Sequence, residues 1–166
     1  MIETVLTSLR RSSTVLALTA GVLVAAFLAG SAAVADEIST FVSDGAAIGG
    51  TDPVSYHVQG EPLPGTDEFT ADWDGVTWKF SSAANRDAFM AEPEKYAPAY
   101  GGFCATGASF GKKVPIDPVY WKIVDGQLYL NNSSAAQDVF LKDESGTISQ
   151  ANTNWSKIRT IPADQL

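Results

Sequence analysis

Two stretches of this sequence are written almost alike. Phe69 to Trp73 and Val76 to Phe80 are aromatic and β-branched and flank Asp74-Gly75, and Tyr120 to Val124 and Leu128 to Leu130 flank Asp125-Gly126. A two-residue hairpin turn that matches the twist of its strands needs positive φ at both central positions, which Asp-Gly adopts at little cost. Two such signals commit the chain to a pair of antiparallel hairpins and exclude an all-helical fold. Between and after them the pattern changes to helix. Ser81 or Ser82 is placed to cap a helix through Ala83, Ala84, Arg86, Ala88, Phe89 and Met90, with Phe89 facing the sheet. Pro93 then suits the first turn of a second short helix, Glu94 to Ala97. Ser134 to Lys142 is a third, with Ala136, Val139 and Phe140 on one face and Gly146 ending the turn that follows. Ile148, Ala151, Trp155 and Ile158 are spaced for a last helical or irregular segment.

Ile38 to Gly50 is small and apolar and reads as a loop, followed by the turn-forming Thr51-Asp52-Pro53 and a short helix or strand at Val54 to His57. Gln59 to Thr66 holds Gly60, Pro62, Pro64 and Gly65 and reads as a surface loop. The expected fold class is α+β, a small antiparallel sheet of two β-hairpins with short helices packed on it.

The N-terminus reads as a targeting segment. Arg10 and Arg11 precede an apolar run from Val15 to Leu28, and Ala33-Val34-Ala35 fits the small-x-small cleavage rule. Residues 1–35 are therefore expected to be a signal peptide and 36–166 a single exported, periplasmic or secreted domain, with its core at about 48–158. The paired arginines fit either general secretion or twin-arginine export. The apolar run is shorter than the roughly 20 residues that span a bilayer, so no stable membrane insertion is expected after cleavage. The 166 residues carry a formal charge of −8, which argues against nucleic acid as a partner, because phosphate neutralisation by Lys and Arg dominates that binding.

Cysteine is used once, at Cys104. An exported chain with one thiol has no internal disulfide, so the thiol is either buried and inert or there to react or bind. It follows Tyr100-Gly101-Gly102-Phe103, whose glycines let backbone approach something closely or take positive φ. Competing motifs fail on context. Gly107-Ala108-Ser109-Phe110-Gly111 spells a nucleophile elbow, but the chain order Ser, acid, His is broken by the upstream His57. Gly111-Lys112-Lys113 lacks the P-loop spacing and hydroxyl. Acidic pairs such as Asp72/Asp74 and Asp143/Glu144 read as solvated turn charges, and no calcium-loop ladder is present. One Cys and one His cannot close a four-ligand zinc site. What remains is Cys104 with His57 and Met90 as soft donors, a set that suits a copper-type ion for which two or three ligands suffice. Tyr56, Tyr96, Tyr100, Gly101 and Gly102 are candidates to line the site.

Asp52-Pro53-Val54-Ser55-Tyr56, Trp78-Lys79-Phe80-Ser81-Ser82, Asn85-Arg86-Asp87-Ala88-Phe89, Pro93-Glu94-Lys95-Tyr96-Ala97-Pro98, Tyr100-Gly101-Gly102-Phe103-Cys104-Ala105 and Val124-Asp125-Gly126-Gln127-Leu128-Tyr129-Leu130-Asn131 together resemble the exported YHS-domain proteins of bacteria. The resemblance runs from about Ile48 to Ile158. It implies a small α+β unit, usually described as a metal binder, in which some relatives carry selenocysteine at the position of Cys104. The sequence also departs from that pattern. Shorter YHS modules place His or Cys after the aromatic strand and Cys a few residues into the helix, where this chain has Ser81 and Asn85. His57 stands where similar sequences often have Phe. Three expectations follow: a soft-metal, copper-type binding module using Cys104, partnered by a metal ion or a metal-handling or redox protein; a thiol-redox protein using Cys104; or a non-catalytic structural or interaction domain with an inert thiol. None requires the protein to be an enzyme.

Overall fold

The structure, a computed structural model, describes residues 39–166. The expected signal peptide and cleavage site lie outside those residues. Both foreseen hairpins form. Thr66–Trp73 (β5) pairs antiparallel with Val76–Phe80 (β6), and Trp121–Val124 (β7) with Gln127–Leu130 (β8). Asp74 (φ 52°) and Gly75 (φ 74°), like Asp125 (φ 51°) and Gly126 (φ 83°), take the left-handed turn conformations that their identities favour. A third Asp-Gly hairpin lies in the segment read as a loop. Asp44-Gly45 joins Val42–Ser43 (β1) to Ala46–Ala47 (β2), whose strands are too short and small to announce themselves in the sequence. Thr51–Asp52 (β3) pairs with Leu63–Pro64 (β4), so part of the proline-rich stretch is an edge strand. Proline is tolerated there because an edge position leaves its missing N–H without consequence.

The four pairs remain separate two-stranded sheets rather than one small sheet. They are joined through side chains. Val76, Trp78 and Phe80 alternate inward along β6 and meet Leu128 and Leu130 of β8, together with Ile48, Val54, Tyr56 and Phe89, in the main core.

The helices follow their caps. Ser55–Val58 (α1) opens the segment between β3 and β4, and Ala83–Ala91 (α2) begins at Ser82, whose hydroxyl accepts from the Asn85 N–H at 3.1 Å. Pro93–Tyr96 (α3) starts on its proline. Phe89 faces inward as expected, fully buried against Phe80, Trp78 and Trp73 with ring centroids 5.1 to 5.7 Å apart. Ala105–Ser109 (α4) is a helix that the sequence reading did not foresee. Ser134–Lys142 (α5) has its expected bounds, but only Phe140 of its apolar face is buried; Val139 is 47% exposed. Gly146 does not end a turn. It lies inside the first turn of Glu144–Ile158 (α6), where its N–H donates to Asp143 Oδ1 at 2.9 Å and a Cβ would strike that carboxylate. Phe140, Ala151, Ala105, Ala108, Tyr100 and Tyr129 make a second core. Among the described residues no helix is long and apolar enough to cross a membrane.

Candidate functional site

The chain reaches Cys104 through three consecutive left-handed residues, Tyr100 (φ 56°), Gly101 (φ 59°) and Gly102 (φ 82°). This turn presses the backbone onto the protein's own N-terminal segment: Phe41 donates its N–H to Gly101 O at 2.8 Å, and Gly102 lies against Ile48. Cys104 follows as the N-cap of α4 and is 1% exposed. Its Sγ accepts from the Gly107 N–H at 3.3 Å, and the thiol donates toward Asn131 Oδ1 at 3.6 Å. Asn131 is fully buried. Its Oδ1 also accepts from the Thr106 N–H at 3.2 Å, and its Nδ2 donates to Gln137 Oε1 at 2.8 Å. Gln137 in turn donates to Trp121 O, so the thiol belongs to a polar chain tying α4 to β7, β8 and α5. Burial pushes the Cys104 thiol up, against a smaller opposing pull from the backbone N–H groups of Gly107, Asn132 and Thr106. A thiol shifted this way favours its protonated form, the poorer nucleophile and ligand.

The other two soft donors lie in other company. His57 sits on α1 with its ring edge-on to Tyr96, centroids 5.3 Å apart, and its Nε2 is enclosed without a hydrogen-bond partner. Met90 is 49% exposed on α2. Cys104 makes its side-chain hydrogen bonds with Gly107 and Asn131, and His57 its ring contact with Tyr96. Tyr56 is buried, its ring edge-on to Trp121 and its hydroxyl donating to Pro118 O at 3.1 Å. Its pKa is raised by burial first and then by Asp117 and Asp52. The Tyr100 hydroxyl is shared between Ile148 O and Asn152 Oδ1 on α6. Ser109 of the elbow-like motif turns its hydroxyl to Thr106 O at 2.8 Å, a bond within α4.

Burial, and secondarily the Lys95 ammonium, lowers the His57 pKa from 6.5. The unfolded chain therefore binds this proton at higher pH than the folded one. Stability is expected to fall as pH drops through about 6.5 toward the lower folded value, and His57→Gln should flatten that limb. Urea denaturation between pH 7.5 and 5 measures the slope.

The most heavily bonded side chain is one that the sequence reading passed over. Asp52, read only as part of a turn, is fully buried and accepts five hydrogen bonds. Oδ1 takes the N–H groups of Val54 (2.9 Å) and Ser55 (3.3 Å) at the start of α1. Oδ2 takes the Ser81 N–H (2.9 Å), the Ser81 hydroxyl (2.6 Å) and the Asn85 amide (2.7 Å). One carboxylate thus binds β3, α1, the end of β6 and α2 together.

Residues 54–100 match the model of the YHS domain. This stretch of the chain is a YHS domain. The match covers less than half of the chain, takes in α1, the β5–β6 hairpin, α2 and α3, and stops just short of Cys104. No curated protein and no solved structure matches the chain. YHS domains are associated with metal binding. Among the described residues no group of three or more His, Cys, Asp or Glu is placed to hold a metal. Ser81 and Asn85, at the positions where the shorter YHS modules are expected to carry ligands, both donate to Asp52, which has spent its acceptor capacity on them.

Proposed function

We propose that the protein is a non-catalytic YHS binding module in which Cys104 is a structural thiol. The observation that supports this is the placement of Sγ, enclosed and engaged both by the Gly107 N–H and by Asn131, with burial pushing the thiol's pKa up. A copper-type ion at Sγ would have to displace both bonds and break the Asn131 chain, and among the described residues no group of three or more His, Cys, Asp or Glu is placed to hold one. A redox role would need the sulfur exposed to a partner, and no resolving cysteine exists in the chain. Arg10-Arg11 and the apolar run after them support export of this module to the periplasm or outside the cell.

The test is an anaerobic Cu(I) competition titration of the protein beside Cys104→Ser, with thiol labelling of the same samples. The expected result is no stoichiometric copper binding, and labelling at least about a hundredfold slower in the native protein than in denaturant, as burial and a raised pKa dictate. Stoichiometric Cu(I) binding that Cys104→Ser abolishes would overturn the proposal in favour of a metal site. Fast labelling of the native thiol would overturn it in favour of redox chemistry.

A further inference from the structure

A cleft of about 200 Å³ opens where the β5–β6 turn meets the end of α6. Its lining residues include Trp73, Trp78 and Trp155, with Asp74, Arg159 and Gly101 among the others. Trp73 and Asp74 are adjacent at the hairpin turn, and Trp155 and Arg159 lie one helical turn apart, so two local geometries bring an aromatic and an ion to the same opening. The aromatic walls are held by the core. Trp73 packs on Trp78 and Phe89 at 5.9 and 5.7 Å, and Trp155 on Tyr100 and Phe103 at 5.9 and 6.1 Å. A pocket built this way is already in its bound shape and loses little entropy on binding.

The two ions carry the argument. Asp74 and Arg159 line one cleft with opposite charges, yet they form no ion pair with each other, and neither enters an ion pair among the described residues. The α6 C-terminus would ordinarily repel an anion near Arg159. Here Lys113 Nζ donates to Arg159 O and Ile161 O, both at 2.7 Å, and lies 5.4 Å from the Trp155 ring centre. The carbonyls just past the helix end are thereby paired with a cation. Arg159 and Asp74, both exposed and both lining a cleft that three tryptophans also line, complement a molecule with one charge of each sign. Its carboxylate suits the planar fork of Arg159, and its nitrogen suits Asp74 and an indole face. The volume is below the roughly 300–1,000 Å³ of sites that enclose drug-sized ligands, so the occupant is small.

We propose that the cleft between Trp73, Asp74, Trp155 and Arg159 binds a small zwitterion of the α-amino-acid or betaine class. The site is separate from Cys104 and does not depend on how that thiol behaves.

Three of the four tryptophans line the cleft and serve as a fluorescence reporter. The full chain is titrated with trimethylglycine and L-leucine, and with tetramethylammonium, acetate and glucose as probes carrying one charge or none. The expected result is a saturable tryptophan response to at least one zwitterion with Kd about 1 mM or tighter, and binding at least about tenfold weaker for the single-charge and neutral probes. Arg159→Gln and Asp74→Asn should each weaken zwitterion binding about tenfold with melting temperature unchanged, while Cys104→Ser leaves it intact. No saturable response to either zwitterion overturns the proposal, as does equal binding of glucose or full retention of affinity in both charge variants. The Cys104→Ser arm keeps this result apart from the copper titration, because loss of one reading leaves the other standing.

Discussion

Asp52→Ala is expected to destabilise the protein by about 3–5 kcal/mol, the range for breaking a buried charged network by removing one member. Five donors now satisfied by one carboxylate would be left in the interior, and each buried unsatisfied group carries a penalty of about 1–3 kcal/mol before relaxation and water entry reduce it. In a domain of this size the melting temperature should fall by roughly 10–20 °C, as thermal and urea denaturation followed by circular dichroism would report. Asp52→Asn separates charge and acceptor number from volume. The amide keeps one oxygen for two donors but turns an NH₂ toward the Ser81 and Asn85 donors, so its loss should fall between wild type and alanine. Should Asp52→Ala prove too unstable to purify, Ser81→Ala and Asn85→Ala test the same hub, each expected to cost about 1 kcal/mol. A loss under about 1 kcal/mol in Asp52→Ala would show that the carboxylate is not the cross-link described above.

Gly102→Ala should cost about 2–5 kcal/mol, from two separable causes. The backbone there has φ 82°, and an L side chain in left-handed conformation costs about 1–2 kcal/mol. The added Cβ would also strike Ile48 Cγ2 and lie 3.3 Å from Pro98 Cγ. Ile48 is 1% exposed and has no room to withdraw, so overpacking adds about 1–3 kcal/mol. Gly45→Ala is the control. Gly45 has φ 74° but open space where its Cβ would go, so it should show the backbone cost alone. Urea midpoints for the two variants give the packing contribution by difference, and equal losses would mean that contact with Ile48 does not limit the site.

These two positions mark where sequence reading stops. The Asp-Gly pairs at 74–75 and 125–126, the Ser82 cap of α2 and the bounds of α5 were legible because each depends on neighbours within a few residues. The third Asp-Gly turn, at 44–45, was missed because its strands offer only two short residues on each side. Asp52 looked like an ordinary turn residue since three of its five bonds go to Ser81 and Asn85, about thirty positions away. The glycines before Cys104 were read correctly as a place of close approach and positive φ, but what approaches is the protein's own N-terminal segment.

The soft-donor trio shows the same division. Cys104, His57 and Met90 are the residue types a copper-type ion prefers, and a list of types carries no distances. Composition and local pattern determined the class of this fold, its hairpins and most of its helices, because turn chemistry, capping and alternation act over a few bonds. Tertiary packing alone decided that Cys104 faces Asn131, that Met90 faces solvent and that Asp52 gathers four elements. It also brought Trp73 and Asp74, in the middle of the sequence, to Trp155 and Arg159 about eighty positions later. Burial and long-range proximity, which set a thiol's protonation and a carboxylate's partners, are properties of the packed chain and have no local sequence signal.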